Sequence, residues 1–371
     1  MLMQPYNAIL QRLESKGRLR SLNVAQGADF SSNDYLALAG SDYLRNIACE
    51  ALEHGVPVGS GGSRLLRGNH PEHEALEAEA AAFFKAPQVL YFASGFDANQ
   101  TVFATLPQAG DLVLYDALIH ASIHAGLQAG KAKTQNVPHN DIAAFEAAIQ
   151  QFRATEKSGN IWLAVESLYS MDGDRAPLAE LSDLADRYDC FLYIDEAHAT
   201  GVFGTDGRGL AADFAGRDNV LILHTCGKAL GASGALLCAA KPLIDVLINR
   251  ARGFIFSTAP SPLQASIVRG SLKILTAEPQ RREKLHTLFR HAGQHLQPSG
   301  SQIIPYIVSD NQRAVALAEA MQNHGFDIRA IRPPTVPLGT ARLRISITLN
   351  VDETQISRMA EVLKQIANSY E

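Results

Sequence analysis

The feature that most constrains the fold is an alternation, between about residues 85 and 240, of short apolar runs with segments long enough to form helices. The runs QVLYFA, DLVLYD, IWLAVES, CFLYID and VLILHT are predicted to be strands, and several are apolar throughout. A strand that is apolar on both faces has to be covered on both faces, so the pattern predicts a mostly parallel sheet with helices on either side. The fold class that the sequence predicts is therefore α/β.

Several of the predicted strands end abruptly in a polar residue. In open α/β sheets, ligands bind beyond the carboxyl ends of the strands. We therefore expect these groups to converge on one crevice. They are Asp116, Glu166, Asp195, and His224 with Thr225.

Downstream of about residue 260 the sequence changes to long amphipathic segments with two strand-like pieces, QIIPYIV and ARLRISITL. In the second piece, apolar positions from Leu343 to Leu349 alternate with polar ones from Arg342 to Thr348, which predicts a strand with one buried and one polar face. The sequence thus predicts an N-terminal segment at 1–40, a large domain at 41–260 and a smaller α+β C-terminal domain at 261–371.

Charge and composition disfavour several classes of protein. The net charge is −5 and no basic run stands out, which argues against a nucleic-acid partner. No apolar run reaches the ~20 residues that a membrane-spanning helix needs, and the N-terminus lacks the apolar core of a secretory signal. We therefore expect a cytoplasmic protein without a membrane partner. The four cysteines form no C-x-x-C pair, and we expect them to be reduced and mostly buried.

Lys228 directly follows the apolar run VLILHT and precedes a stretch of small residues at 229–234. A lone lysine is most often a solvated surface residue. Here, however, it is predicted to lie at the mouth of the crevice, where a desolvated amine can form a Schiff base with a carbonyl. The small neighbours would let a planar cofactor approach the backbone.

Asp195 ends the run CFLYID and begins the string Asp-Glu-Ala-His. That string resembles a helicase motif, but the sequence has no G-x-x-x-x-G-K-[ST] phosphate loop to accompany it. By itself, Asp195 fits a helix cap or a Mg²⁺ ligand as well as a partner for a protonated pyridine nitrogen. Together with Lys228, the carboxylate favours a site for pyridoxal phosphate, an electron-sink cofactor.

Two further motifs follow predicted strands. Ser94-Gly95-Phe96 precedes a predicted helix, and backbone N–H groups at a helix N-terminus attract an anion such as a phosphate. A lone Ser-Gly pair is usually only a turn. His120 and His124 have the i, i+4 spacing of metal ligands, but no third ligand of suitable spacing is visible, so we expect no metal. An imidazole at the crevice can instead stack on a cofactor ring.

With these residues placed, the sequence resembles the α-oxoamine synthases, a branch of the fold-type I pyridoxal phosphate enzymes. The resemblance runs from Phe30 to about Leu349 and consists of many separate motifs in one order. These are FSSNDYLAL at 30–38, GSGGSRLLRGNHPEHEALE at 59–77, ASGFDANQ at 93–100, SMDGDRAPL at 170–178, IDEAHATGVFG at 194–204, TCGKALG at 225–231 and FSTAPSP at 256–262.

The resemblance implies a set of residues that hold the cofactor, with the large domain as the pyridoxal phosphate domain. Lys228 would form the Schiff base, Asp195 would face the pyridine nitrogen and His120 would stack on the ring, and these three would be catalytic. The other cofactor residues implied are His198 and Ser170 at the phenolic oxygen, Gly95, Phe96 and Thr225 along the ring and its phosphate, and Thr258 from a second subunit of a homodimer.

The resemblance also implies substrate-binding residues. Arg344 would anchor the carboxylate of the amino acid, a bidentate task suited to a guanidinium. The remaining substrate-side positions implied are Arg20, Asn33, Thr335 and again His120.

The activity implied by the resemblance is the decarboxylative condensation of an amino acid with an acyl thioester. Within the family, the segment at 331–344, IRPPTVPLGTARLR, most resembles the members that act in biotin biosynthesis. This resemblance implies L-alanine and pimeloyl-CoA or pimeloyl-acyl carrier protein as the substrates. Glycine with acetyl-CoA or succinyl-CoA, and serine with a long-chain acyl-CoA, are alternatives within the family. A non-catalytic partner subunit is disfavoured because Lys228, Asp195 and His120 are all present.

Overall fold

The computed structural model describes residues 2–22, 24–156 and 158–369. Its strands are β1 Ala28–Asp29, β2 Gln88–Phe92, β3 Leu112–Asp116, β4 Lys133–Val137, β5 Ile161–Glu166, β6 Phe191–Asp195, β7 Val220–Thr225, β8 Ala235–Ala239, β9 Ile303–Ser309, β10 Phe326–Asp327, β11 Arg329–Ile331 and β12 Ala341–Ser346. Its α-helices are α1 Gln4–Ser15, α2 Asp42–Glu53, α3 Pro71–Phe84, α4 Gly95–Thr105, α5 Ala121–Ala129, α6 Ile142–Thr155, α7 Leu178–Arg187, α8 Lys241–Arg250, α9 Arg252–Ile255, α10 Pro262–Ala277, α11 Pro279–His295, α12 Asn311–Asn323 and α13 Glu353–Ser369.

The chain forms two compact units. The larger unit consists of Leu36–Tyr169 and Arg175–Arg282, and the smaller unit combines the chain up to Tyr35, the segment Ser170–Asp174 and the chain from Glu283 onward. These boundaries differ from the ends of the predicted domains at 40 and 260, because α10 lies in the larger unit and 170–174 in the smaller. Division into domains at those two positions stays a prediction.

The larger unit is built on a mostly parallel sheet with the strand order β2-β8-β7-β6-β5-β3-β4. β8 is antiparallel to both β2 and β7, whereas the pairs from β7 through to β4 are parallel. The α/β class and the strands predicted from the apolar runs are confirmed. β4 was not predicted because it is an edge strand whose residues from Lys133 to Asn136 are exposed and polar.

Helices α4 and α5 pack against each other and share a buried core with the sheet. Val102 and Phe103 of α4 and Ile123 of α5 lie in the buried core with Trp162 of β5, and burial of such side chains stabilises the fold by roughly 1.5–3 kcal/mol each. Gly126 allows α5 to approach α4 closely, because a Cβ there would lie 2.8 Å from the carbonyl oxygen of residue 100. The two helices that lead into the pocket are therefore fixed against each other and against the sheet.

The smaller unit contains an antiparallel sheet of order β11-β12-β9 and a parallel pair formed by β1 and β10. The strand predicted around 341–349 is present as β12, and apolar and polar side chains alternate along it as predicted, but both of its faces are buried rather than one. All residues of β12 are buried, including Arg342 and Arg344. Both guanidinium groups find partners inside this unit, so the burial of their charges is compensated.

Two other predictions concern the whole chain. No helix within the described residues is both long and apolar enough to span a membrane. The cysteines are free thiols, of which Cys49 is exposed and the others are buried, as expected.

Candidate active site

A pocket of about 470 Å³ opens in the larger unit where β5, β6 and β7 end. Its lining includes the strand-end residues Glu166, Asp195 and Thr225, so the predicted convergence holds for these three. The structure brings together there, from four separate motifs, the predicted site residues Gly95, Phe96, His120, Asp195, His198, Thr225 and Lys228. Their individual roles stay predictions.

Lys228 lies just beyond β7 and is half-buried. Its Nζ lies 2.7 Å from Nε2 of His198, which itself follows β6. The turn that carries the lysine is closed by backbone bonds, in which the N–H of Cys226 donates to Gly234 O at 2.8 Å and that of Gly231 donates to Lys228 O at 2.8 Å. The amine is thus held inside the pocket rather than on a solvated face.

Asp195 is the last residue of β6 and only 4% exposed. Its Oδ2 accepts a hydrogen bond of 2.8 Å from the side-chain amide of Asn99, and its Oδ1 accepts one of 2.9 Å from the backbone N–H of Ala197. These bonds leave other lone pairs of the carboxylate available. Such a carboxylate can accept a further proton donor, as required of the partner of a pyridine nitrogen.

His120 caps the N-terminus of α5, because its Nδ1 accepts a hydrogen bond from the backbone N–H of Ser122. The ring lies edge-on to that of Phe96, with 6.5 Å between the centroids. Burial lowers the pKa of His120 and outweighs the opposite effect of nearby Asp195, while Lys228 and His124 also lower it. The imidazole is therefore neutral at neutral pH.

The N-terminus of α4 forms another wall of the pocket. Ser94 caps this helix by accepting a 3.1 Å hydrogen bond from the N–H of Asp97, and Gly95 is the first helical residue. A Cβ at Gly95 would lie 2.6 Å from the methyl group of Thr225, so only glycine fits against this threonine. The helix dipole and its free N–H groups make this wall suited to an anion.

These features fit pyridoxal phosphate. The pocket combines an amine able to form a Schiff base, a buried carboxylate with spare acceptor capacity, a neutral flat imidazole and a helix N-terminus with a glycine that leaves space for a phosphate. Each feature corresponds to one part of the cofactor. Among the residues that the structure describes, no cluster of three or more His, Cys, Asp or Glu side chains could hold a metal ion.

Two strand-end residues do not reach the pocket, contrary to expectation. Asp116 ends β3, which lies beyond β5 in the strand order, and its carboxylate accepts from the N–H groups of Leu118 and Asn140 and bonds to His139. His224 precedes Thr225 on β7, so the pleat points it to the opposite face of the sheet, where it stacks on Phe84 at a centroid distance of 3.6 Å.

Thr258 lies elsewhere in the larger unit. It is exposed and lines a separate small cavity together with Arg64 and Phe254. Its predicted place in the site of a second subunit stays a prediction.

The other predicted site residues belong to the smaller unit. Arg344 is 6% exposed. Its guanidinium donates 2.6 Å to the carbonyl oxygen of Ser170, 2.7 Å to Oγ of Ser346 and 3.0 Å to Oδ1 of Asn33. Among the described residues, no carboxylate lies within ion-pair distance of it. The predicted carboxylate anchor is thus a buried cation whose partners are neutral.

Arg342 stands two positions before Arg344 on the same strand and differs from it in one respect. Its guanidinium forms an ion pair with Asp172 and donates to the carbonyl oxygen of Met171 at 3.2 Å. The sequence alternation treated the two arginines alike, and only the folded chain distinguishes them.

Arg20 and Thr335 are in contact, as Nη2 of the arginine donates a 3.3 Å hydrogen bond to the threonine hydroxyl. Both residues are exposed. Their predicted roles at the substrate side stay predictions.

Sequence reasoning missed Asn99 as a pocket residue. Glu166 was expected at the crevice from its place at a strand end, and it lines the pocket, but the sequence assigned it no role. Asn99 is one helical turn after Gly95, on the face of α4 turned towards the sheet. A buried asparagine on an otherwise apolar helix face was the available signal.

Comparison with known proteins agrees with this site. Residues 25–363 match the family model for aminotransferase class I and II. The chain is similar to 8-amino-7-oxononanoate synthase of Chromobacterium violaceum, with 37% identity over 392 aligned positions that cover 100% of both chains.

Solved structures agree as well. 8-Amino-7-oxononanoate synthase from Francisella tularensis is 25% identical with a TM-score of 0.77, covering 93% of this chain and 99% of that one. A serine palmitoyltransferase from S. paucimobilis with bound PLP is 24% identical with a TM-score of 0.89, covering 99% and 98%, and shares the fold. The chain therefore belongs to the 8-amino-7-oxononanoate synthase family of fold-type I enzymes, and its cofactor is pyridoxal phosphate.

Proposed function

We propose that this protein condenses L-alanine with a pimeloyl thioester in biotin biosynthesis. The products are 8-amino-7-oxononanoate, CO₂ and the free thiol of the carrier. The observation that carries the proposal is the contact of 2.7 Å between Lys228 and His198 in a pocket that also buries Asp195. This arrangement occurs in a chain whose full-length relatives bear the name of that enzyme.

Pyridoxal phosphate, when bound, withdraws electrons from the α-carbon of the amino acid and so makes its proton acidic. We assign to the Nζ of Lys228 the transfer of that proton, first away from the α-carbon and later back to the same carbon once CO₂ has left. His198 holds the amine within the pocket between these transfers.

Arg344 is proposed to bind the carboxylate of alanine. A buried guanidinium without a carboxylate partner keeps most of its attraction for an anion, and its planar fork matches a carboxylate in two parallel hydrogen bonds. Asn33 would fix its orientation through the 3.0 Å bond to Nη2. Ser170, Arg20 and Thr335 are proposed as further residues at the cofactor and substrate side.

The proposal extends to assembly and location. We infer a homodimer in which Thr258, exposed in the isolated chain, completes the site of the second subunit. We also infer a cytoplasmic enzyme. Glycine C-acetyltransferase activity is the less favoured alternative, since no observation singles out glycine and acetyl-CoA. Whether coenzyme A or an acyl carrier protein delivers the pimeloyl group is decided by experiment.

A substrate panel tests the proposal. Purified, cofactor-loaded protein is given L-alanine, glycine or L-serine, each with pimeloyl-CoA, pimeloyl-acyl carrier protein, acetyl-CoA or palmitoyl-CoA. Thiol release is followed and the product identified by mass. We expect the highest rate for alanine with a pimeloyl thioester, and no thiol release in Lys228→Ala. Turnover of glycine or serine without turnover of alanine would contradict the proposal.

A further inference from the structure

We propose that Asn99, acting with Ser122 and Tyr193, is a positioning residue that fixes Asp195 and His120 as one unit facing the cofactor. The inference deepens the proposed function. Its consequence for the reaction rests on that function, whereas its consequence for cofactor binding requires only that the pocket binds pyridoxal phosphate. Neither the sequence motifs nor the roles assigned above give a task to these three residues.

Asn99 lies on α4, lines the pocket and is 2% exposed. Its Nδ2 donates one hydrogen bond of 2.8 Å to Oδ2 of Asp195 and another of 2.9 Å to Oγ of Ser122. Its Oδ1 accepts from the hydroxyl of Tyr193. Both amide protons and the amide oxygen are therefore used. The partners come from two elements, β6 for Asp195 and Tyr193 and α5 for Ser122, and Asn99 on α4 links them.

Tyr193 sets the direction of the amide. Burial, together with the charge of Asp195, raises the pKa of Tyr193 well above its ordinary value, so the phenol stays protonated and can donate. With the phenol as donor, the atom of Asn99 that faces it must be the oxygen. The NH₂ group is then turned towards Asp195, where an acceptor-only carboxylate matches it. If the amide were flipped, Oδ1 of Asn99 would face the carboxylate oxygen of Asp195, and neither atom could donate a hydrogen bond.

Ser122 carries the arrangement on to His120. Its hydroxyl accepts from Asn99, so the hydroxyl proton is free to donate to Nδ1 of His120 at 2.6 Å. Nδ1 also accepts from the backbone N–H of Ser122 at 3.3 Å. A nitrogen that accepts two bonds carries no proton, so the neutral ring must carry its proton on Nε2. The direction of every bond from Tyr193 to His120 is thereby determined.

The consequence for Asp195 is that its carboxylate is held in place. The donors from Asn99 and Ala197 compensate the burial of this carboxylate and leave its other lone pairs free to accept from a pyridine nitrogen. Asn99 therefore acts on the cofactor through Asp195, and on the stacked ring through Ser122 and His120.

Substitutions at Asn99 test its link to Asp195. Asn99→Asp keeps the shape but places a second carboxyl group against Asp195, and two such groups at this distance cannot both be ionised. We expect the affinity for pyridoxal phosphate, measured by equilibrium dialysis, to fall about ten- to a hundredfold, the effect of losing a hydrogen bond to a charged group. The absorption band of the bound cofactor should also shift. Asn219→Asp is the matched control, because Asn219 precedes β7 at the other end of the sheet and bonds to the carbonyl oxygen of Cys190.

Ser122→Ala tests the link from Asn99 through Ser122 to His120. It removes the hydroxyl that links Asn99 to His120 but leaves the bond from Asn99 to Asp195, so the affinity for pyridoxal phosphate should stay within about twofold of wild type. The imidazole then keeps only the longer bond of 3.3 Å from the backbone N–H of residue 122, so the fraction of rings protonated on Nδ1 should rise. Two-bond ¹H–¹⁵N spectra of the ¹⁵N-histidine-labelled holoenzyme report this fraction directly. Tyr193→Phe removes the group that orients the amide and should reduce the affinity less than Asn99→Asp does.

The results separate the inference from the proposed function. If Asn99→Asp binds pyridoxal phosphate as tightly as Asn219→Asp and with the wild-type spectrum, the inference is overturned. It is equally overturned if His120 carries its proton on Nδ1 in the wild type. If the variants behave as expected but alanine and pimeloyl thioester give no product, the inference stands and the proposed function fails. If Asn99→Asp impaired folding, the unfolding temperature of the cofactor-free variant would be lower than that of wild type. The tautomer of His120 in Ser122→Ala would then be the test of the inference.

Discussion

The pocket of the larger unit and strand β12 of the smaller unit both bury charged side chains, but the chain compensates those charges differently. Asp195 in the pocket and Arg344 on β12 are surrounded by neutral hydrogen-bond partners. Arg342, on the same strand as Arg344, is neutralised by Asp172. Removing one member of a buried charge pair destabilises the fold because the other charge is left unpaired, whereas a charge that has only neutral partners still attracts a ligand of opposite sign.

Replacement of Lys228 tests the pocket side of this comparison and should have the largest effect. Lys228→Ala removes the proposed proton-transfer group. We therefore expect kcat to fall by about 10³-fold or more, since loss of a general base typically costs about 10²- to 10⁴-fold. Lys241→Ala is the control, because that lysine is exposed and, among the described residues, forms an ion pair only with Asp245. A Lys228→Ala enzyme that retained a tenth of the wild-type rate would contradict the assignment.

Replacement of Arg344 tests the β12 side. Arg344→Lys keeps the charge but loses the planar fork, and we expect KM for alanine to rise by about ten- to a hundredfold. KM for the pimeloyl thioester should change much less. Steady-state kinetics with each substrate varied in turn measures both. The matched control is Arg342→Lys, and an equal rise in KM for alanine in both variants would show that the two arginines do not differ as we infer.

For the free energy of unfolding, replacement of Arg342 should have a larger effect than replacement of Arg344, the reverse of their expected effects on KM for alanine. Arg342→Met leaves Asp172 without its partner, and we expect a loss of about 2 kcal/mol in the free energy of unfolding. This is below the usual loss for a broken buried pair, because the Asp172 side chain is 34% exposed and can be hydrated. Arg344→Met removes a charge that has no counter-charge and should destabilise less. Urea unfolding of the cofactor-free variants measures the difference.

His224 offers a pH test of the face opposite the pocket. Burial lowers the pKa of His224 to about 3, while in the unfolded chain it stays near its ordinary value of 6.5. The unfolded state therefore takes up a proton first, so the stabilisation is complete above pH 6.5 and is lost as the pH falls towards 3. Between these values the unfolded state binds up to one proton more than the native state at this residue. The unfolding free energy of wild type should therefore fall with decreasing pH more steeply than that of His224→Gln, by up to about 1.4 kcal/mol per pH unit.

Arg20 should give the smallest effect. It is exposed and bonds only a threonine hydroxyl at 3.3 Å among the described residues, so its charge is largely hydrated. If Arg20 binds substrate as predicted, Arg20→Ala should raise KM for the pimeloyl thioester by about two- to fivefold and leave KM for alanine unchanged. An effect on alanine as large as that of Arg344→Lys would contradict the distinction between a hydrated and a buried arginine.

Much of the fold was predictable because its signal is local. Strands such as β5 and β7 are buried throughout and apolar up to their polar ends, which is the pattern of a sheet covered on both faces. β4 escaped prediction because an edge strand in water can be polar along most of its length. The buried polar face of β12 escaped because the partners of Arg342 and Arg344 are distant in sequence, at 170–172 and at Asn33.

The pocket was predictable in part. Lys228 and Asp195 stand at strand ends, and Gly95 follows a strand, so the rule for open sheets places them on one side. The same rule selected Asp116 and His224, which the structure directs elsewhere. For residues of the smaller unit, only the resemblance to a known family named candidates.

The sequence by itself determined the α/β class, the position of the strands and the family, because apolar runs, their polar ends and ordered motifs are written in consecutive residues. Tertiary structure alone decided which strand-end side chains face the pocket, which of two neighbouring arginines has only neutral partners, and that Asn99 joins Asp195 to His120. Each of these depends on strand order, on the side to which a pleat turns and on partners far away in the chain, and none of these is encoded by local pattern.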